Sequence, residues 1–308
     1  MTMRAATADR RGVVSIREIP VPSVGRREVL IGVETAGVGS WDASMRPERG
    51  EGRIVPGTDG AGVVAAVGSR VRRFRIGDRV YSYSYENRKG GFHAQFVAVD
   101  AKKVARVPRG LDLERAGAIA TTGLTALQGV DDALHVKKGE SVIVHGASGG
   151  VGSLALQFAK LRGARVLATA SGRDGVALAR RLGADATVDG KREDVLAAAR
   201  RFAPDGVDAV LAFVGGKTLG RCLDALKKGS GRLAYPNGVE PTRKRRGVKT
   251  TAYDGTPGVG EFQRLNRAVE AARLKVPIAK SYRLARAEAA YQFVEKGHVL
   301  GKVVLRIP

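Results

Sequence analysis

Residues 141–152 read SVIVHGASGGVG, and the pattern SLALQFAKLRG follows without a break. A run of β-branched residues ends in a glycine-rich turn and passes straight into apolar residues at helical spacing. Ala147-Ser148-Gly149-Gly150-Val151-Gly152 fits A-x-G-x-x-G, the dinucleotide fingerprint with alanine in its first position. In such a turn Gly149 lets the backbone approach a pyrophosphate and Gly152 lets helix and strand pack tightly. The helix N-terminus adds free N–H groups and a positive dipole end. The same glycines would also suit an ordinary tight strand-to-helix turn, so the context decides.

That context is an alternation. Strand patterns stand at SVIVHG (141–146), RVLATA (165–170), ATVDG (186–190), VDAVLAFV (207–214), RLAYP (232–236) and KTTAY (249–253), with helical patterns at 150–162, 174–183, 192–202 and 217–228. Strands alternating with helices predict an α/β fold: a doubly wound parallel sheet of Rossmann type, with right-handed crossovers. A helical stretch, ERAGAIATTGLTALQGVDDAL (114–134), leads into it. Upstream, residues 1–115 are short β-type runs punctuated by Gly and Pro, which predicts a barrel-like β domain. The closing KVVLRI has no place in the parallel sheet and is expected to return to that first domain. The expected division is therefore 1–115 with 275–308, and 116–274. KTTAY would be the sheet's edge strand, whose unpaired backbone groups invite a homodimer.

The end of the second strand selects the dinucleotide. NAD-selective folds place Asp or Glu there, about 20 residues past the turn, for the ribose hydroxyls. Here Ser171, Gly172 and Arg173 occupy the corner. A serine hydroxyl and a guanidinium suit a 2′-phosphate, which a carboxylate would repel. NADP(H) is the expected cofactor, and Lys191 would add to the same pocket.

Composition sets the outer limits. Lys and Arg total 53 against 30 Asp and Glu, a net charge of +23, spread along the chain apart from the cluster TRKRRGVK (242–249). That field favours anionic ligands. It also motivates a reading of another class, an NADPH-binding protein associated with nucleic acid. An aromatic content of 5% offers no stacking platform beside the basic cluster. Cys222 is the one cysteine, so neither an intramolecular disulfide nor a cysteine-rich zinc site can form. No apolar run is long enough to span a bilayer and the first residues lack an apolar signal core, so a cytoplasmic protein without membrane contact is expected. His145 ends a buried strand and reads as packing. GGKT (215–218) imitates the tail of a P-loop, but Leu211 stands where its first glycine is needed, and Tyr291 and Lys296 are one residue too far apart for a Tyr-x-x-x-Lys pair.

Taken together, AGVGSWDASMR (36–46), PGTDGAGVVAAVGSRVRRFRIGDRVY (56–81), KGGFHAQFVAV (89–99), ATTGLTALQ (120–128), the turn with its flanks (145–171) and the closing GKVVLRI resemble the medium-chain dehydrogenases/reductases, in their zinc-independent, zeta-crystallin-like quinone oxidoreductase branch. The resemblance implies a GroES-like β-barrel domain beside the Rossmann domain and hydride transfer from NADPH to a quinone, or to the C=C bond of an α,β-unsaturated ketone or aldehyde. It implies cofactor contacts at Ser148, Gly149, Gly150 and Val151, at Ser171 and Arg173, at Val214 and Gly215, at Tyr235, Pro236 and Asn237, and at Ala252 and Tyr253, with Thr122 near the nicotinamide. The sequence also departs from its relatives. Zinc-dependent members carry a Cys near position 39 and G-H-E where this chain has Gly57-Thr58-Asp59, so no metal site is expected. Quinone reductases often carry Asn and Tyr where Gly39 and Ser44 stand, and no catalytic acid is nominated. Ser40, Asp42 and Ser44, with Tyr81 and Tyr83, are the candidates for contact with substrate.

Overall fold

The computed structural model describes residues 1–48, 52–85, 87–239 and 245–308, and the chain divides into two compact units. One comprises Met1–Thr121, Pro257–Glu270 and Ile278–Pro308; the other comprises Thr122–Thr256 and Ala271–Pro277. Among the described residues no helix is long and apolar enough to cross a membrane.

The first unit opens with a hairpin of β1 (Thr2–Ala8) and β2 (Val14–Pro20). Then follow β3 (Glu28–Val38), the short helix α1 (Ser40–Ser44), β4 (Asp59–Val67), β5 (Arg79–Tyr83), β6 (Phe96–Asp100), β7 (Val104–Arg106) and the short helix α2 (Leu113–Gly117). Val29, Ile31 and Val33 alternate inward along β3, as the two-residue period of a half-buried strand requires. β4 accompanies β3 along one side, with register shifts at Leu30/Ile31 and Val33/Thr35. Such bulges bend a strand, and β3 pairs with β6 over Glu28–Gly32 but with another partner beyond Thr35.

The second unit holds α3 (Ala120–Gln128, whose first two residues belong to the first unit), a π-helical turn (Gly129–Ala133) and the alternating core. In order these are β8 (Ser141–His145), α4 (Gly152–Leu161), β9 (Arg165–Ala170), α5 (Gly172–Arg181), β10 (Ala186–Asp189), α6 (Val195–Phe202), β11 (Ala209–Ala212), α7 (Lys217–Asp224), β12 (Arg232–Pro236) and β13 (Lys249–Tyr253). All six strands are parallel, in the order β10-β9-β8-β11-β12-β13, so the doubly wound sheet and the edge position of β13 are observed. Two expectations change. The stretch 207–214 is strand only at Ala209–Ala212, because the chain leaves the sheet toward Gly215 and Gly216. The helix expected over 114–134 is broken after α2; the Asp59 carboxylate accepts the Thr121 N–H at 2.9 Å and so starts a new helix there.

The remaining elements are α8 (Val259–Ala272), β14 (Ile278–Arg283), α9 (Ala287–Glu295) and β15 (Lys302–Arg306). β15 pairs antiparallel with Thr35–Val38 of β3 and parallel with β14, within the first unit. Pro257–Glu270 also belongs there, against the expected boundary at 274/275. Two contacts explain why: Phe262 packs edge-on against Tyr81 at 5.1 Å, and Asn266 Oδ1 accepts the Tyr81 hydroxyl at 2.6 Å. The first boundary moves as well, from 115/116 to 121/122.

Candidate functional site

The glycine-rich turn is built from its backbone outward. After β8 the Ala147 N–H bonds to Thr169 O at the end of β9, and the Gly149 N–H returns to Gly146 O. α4 then starts with Val151 as its N-cap. A Cβ on Gly152 would stand 2.2 Å from Gly146 O and 2.9 Å from the Ala147 Cα, so close helix–strand packing requires glycine there. On Gly149 a Cβ would meet only Gly146 O, at 3.5 Å, which leaves that backbone open to an approaching ligand. The first-turn N–H groups of a helix lack intrahelical partners and favour an anion.

At the next corner Ser171 caps α5, and Arg173 stands exposed two residues on. Neither Arg173 nor Lys191 forms a salt bridge among the described residues, so both cations are available to an anion. The corner is not free of acid, as the sequence suggested: Asp189, at the end of β10, reaches it from the side. Its Oδ2 accepts the Gly172 N–H at 3.1 Å and its Oδ1 accepts the Lys191 N–H at 3.0 Å. Asp189 is 6% exposed, so this carboxylate is spent on the turn. A cavity of about 320 Å³ adjoins the corner, lined by Gly190, Glu193, Lys217, Thr218 and Arg221 among others. Of the GGKT stretch, Lys217 and Thr218 thus line a cavity and start α7; Thr218 Oγ1 donates to Gly190 O at 3.1 Å.

The remaining expected cofactor contacts lie at the same end of the sheet. Val214 and Gly215 are exposed beyond β11. Tyr235 and Pro236 end β12 beside Ala252 and Tyr253 of β13. The Asn237 N–H donates to Tyr253 O at 3.0 Å, and its Nδ2 donates to Asp254 Oδ2 at 2.6 Å. Thr122 is buried on α3. His145 is packing, as read: its Nδ1 shares a 2.5 Å contact with Thr169 Oγ1, and burial lowers its pKa to about 4. Ligands of open α/β sheets bind outside the carboxyl ends of the strands, where these residues gather.

In the first unit the candidates for substrate contact separate. Ser40 and Ser44 are exposed. Asp42 is 1% exposed and cannot reach a ligand: its Oδ2 accepts the Gly39 N–H at 2.7 Å and its Oδ1 the Thr58 N–H at 3.0 Å. Tyr81, fully buried against Phe262, and Tyr83 belong to the interior. Sequence reasoning missed what surrounds Asp42. Lys302 Nζ lies 4.0 Å from Asp59 Oδ1 and 4.7 Å from the Trp41 ring centroid, and Trp41 Nε1 donates to Thr58 Oγ1 at 2.8 Å. His93 pairs through Nε2 with Gly37 O at 2.9 Å and through Nδ1 with the Tyr291 hydroxyl at 2.5 Å. A carbonyl only accepts, so Nε2 carries the proton and Nδ1 accepts from Tyr291. Burial holds this imidazole neutral, at a pKa of about 4.

Burial also raises the Asp42 pKa to about 7; Lys302 opposes this and Asp59 adds to it, while the two backbone N–H groups favour the anion. The unfolded chain would lose this proton near 3.8, the ordinary value for an aspartate, so the folded state binds more protons between pH 4 and 7 and stability falls as pH rises through that window. At 1.36 kcal/mol per unit the effect is on the order of 4 kcal/mol. Asp42→Asn has no such proton to lose. Its destabilisation relative to wild type is therefore expected to be greatest at pH 4 and to shrink toward pH 8 in urea-unfolding measurements; a cost that grows with pH would contradict this account.

Gly39, Thr58 and Asp59, which stand where the resemblance puts the metal ligands of zinc-dependent relatives, do not fit zinc. Neither Cys nor His stands at 39, 58 or 59; Asp59 spends one oxygen on Thr121 and faces an ammonium with the other. Among the described residues no group of three or more His, Cys, Asp or Glu could hold a metal ion.

Comparison with known proteins gives two family matches: residues 25–109 match the alcohol dehydrogenase GroES-like domain, and residues 182–305 match the family described as zinc-binding dehydrogenase. A quinone oxidoreductase of Lama guanicoe is 30% identical over 94% of this chain and 91% of its own. An NADPH-dependent alkenal/one oxidoreductase of Arabidopsis thaliana is 29% identical over 93% of this chain and 74% of its own. A crystal structure of an NAD-dependent alcohol dehydrogenase superimposes with a TM-score of 0.90 at 29% identity, covering 99% of this chain and 100% of that one.

Proposed function

The chain belongs to the quinone oxidoreductase family of medium-chain dehydrogenases/reductases, and from that premise we propose that it is an NADPH-dependent enzyme that reduces quinones without a metal ion. The observation that carries the coenzyme choice is the corner at Ser171: the guanidinium of Arg173 is exposed and unpaired among the described residues, and the nearby carboxylate of Asp189 is committed to backbone N–H groups. A 2′-phosphate would meet a hydroxyl and cations there, not a free acid. The first turn of α4 would take the pyrophosphate, and the cavity beside Gly190 would take the adenosine end. The ends of β12 and β13 would seat the nicotinamide half, beside Thr122.

When bound, NADPH supplies a hydride; the quinone that accepts it takes up a proton as well and becomes a hydroquinone. An electron-poor acceptor of this kind needs positioning and exclusion of water more than a Lewis acid. The Arabidopsis relative's name favours a second acceptor, the C=C bond of an enone. A steady-state screen of quinones and enones with NADPH and NADH decides between them: turnover of quinones with NADPH is expected, and turnover of neither class removes both readings.

The assembly we propose is a homodimer formed through β13, which among the described residues pairs only with β12 and exposes Lys249, Thr250 and Ala252. Twice the monomer mass is expected by light scattering, whereas a stable monomer would refute this.

A further inference from the structure

The geometry points to Gln128 as a positioning residue for the nicotinamide half of the coenzyme, a role that rests on reading Ala252 and Tyr253 as cofactor contacts. β13 is an edge strand, supported among the described residues by β12 alone, so the chain leaving it needs a second anchor if it is to hold a ligand in register. That anchor is one face of α3. Thr122, Thr125 and Gln128 are spaced three apart and share that face, and Gly129 opens the π-helical turn that continues it.

Gln128 is 8% exposed, and its amide makes two hydrogen bonds to one residue: Oε1 accepts the Thr256 N–H at 2.9 Å, and Nε2 donates to Thr256 O at 2.9 Å. The side chain thereby pairs with Thr256 as a neighbouring strand would. One turn earlier the Tyr253 hydroxyl donates to Thr125 O at 2.9 Å. The fit leaves no spare room. A Cβ on Gly129 would stand 2.1 Å from the Tyr253 hydroxyl oxygen, and one on Gly255 would stand 2.4 Å from Thr125 Oγ1. Residues 253–256 are thus fixed to α3 at both ends, while Asn237 holds Tyr253 and Asp254 from the β12 side. A hydride donor must be placed to within a fraction of an ångström, and a misplacement of about 1 Å costs on the order of 100-fold in rate. Gln128 touches neither reactant; it sets the position of residues that do.

The test uses the full chain with Gln128→Met, which keeps the length of the side chain and removes both bonds, and with Gln128→Glu. Adenosine 2′,5′-bisphosphate, which lacks the nicotinamide, is the probe for the other half of the site. Gln128→Met is expected to bind this fragment within about 2-fold of wild type while its kcat with NADPH falls at least about 10-fold. In Gln128→Glu a neutral carboxyl group restores one donor and one acceptor. Its kcat is therefore expected to approach wild type at low pH and to fall as the new group ionises, a profile the wild type lacks. An unchanged kcat in Gln128→Met overturns the role. Parallel loss of fragment and NADPH binding also overturns it, because the clamp would then only support the fold. A wild type that binds neither NADPH nor NADH overturns the coenzyme reading itself and this role with it.

Discussion

Replacing Gly152 with alanine is expected to abolish measurable NADPH binding, a loss of at least about 100-fold, and to lower the stability of the chain by about 1–3 kcal/mol. The added methyl carbon would lie 2.2 Å from Gly146 O, 2.8 Å from Gly146 C and 2.9 Å from the Ala147 Cα. All three are backbone atoms of the turn, so no side chain can swing aside. Relief requires α4 to move away from β8, and with it the helix N-terminus that would face the pyrophosphate. Gly149→Ala provides the control, because its new carbon meets only Gly146 O, at an ordinary 3.5 Å. That variant is expected to keep wild-type stability and to lose affinity alone, since the methyl group occupies the ligand's path. Calorimetry for binding and denaturant unfolding for stability separate the two. A Gly152→Ala protein that binds NADPH normally would contradict the packing reading of the turn.

The second large effect concerns coenzyme choice. Removing the Arg173 side chain deletes a charge-assisted partner worth about 1.5–3 kcal/mol, so about 10- to 100-fold in the preference for NADPH over NADH is expected to go. Ser171→Asp combined with Arg173→Ala adds repulsion of the 2′-phosphate and supplies an acceptor for the ribose hydroxyls. The double variant is expected to prefer NADH. The measured quantity is the ratio of kcat/KM for the two coenzymes. A wild type that already prefers NADH would show that Asp189, for all its backbone bonds, governs the site.

The Rossmann unit was legible in the sequence because its information is local. RVLATA and KTTAY read as strands over the residues that form them, since a buried parallel strand is a short apolar or β-branched run between turns. The closing KVVLRI read as a strand of the other unit because the parallel sheet offered it no place. What stayed hidden depends on residues far apart in the chain. Asp59 and Lys302 each look like an ordinary exposed charge until β15 is laid beside β3. Asp189 looked like the end of one strand, but it serves the corner of its neighbour. The break in the helix at 114–134 has the same origin, because the group that starts α3 is a carboxylate from β4. Asp42 read as a candidate for contact with substrate; a carboxylate that ties down two backbone N–H groups has the composition of a binding residue and the role of a staple.

The pairing of β15 with β3 also bears on the order of assembly during synthesis. The parallel sheet spans Ser141–Tyr253 without interruption and can close as soon as that segment leaves the ribosome. The β-barrel unit begins earlier in the chain yet waits for β15, carrying Lys302 toward Asp59, before the second edge of Thr35–Val38 is paired. The part translated first is therefore completed last, and until then the nascent chain presents a half-made barrel to chaperones beside a finished parallel sheet.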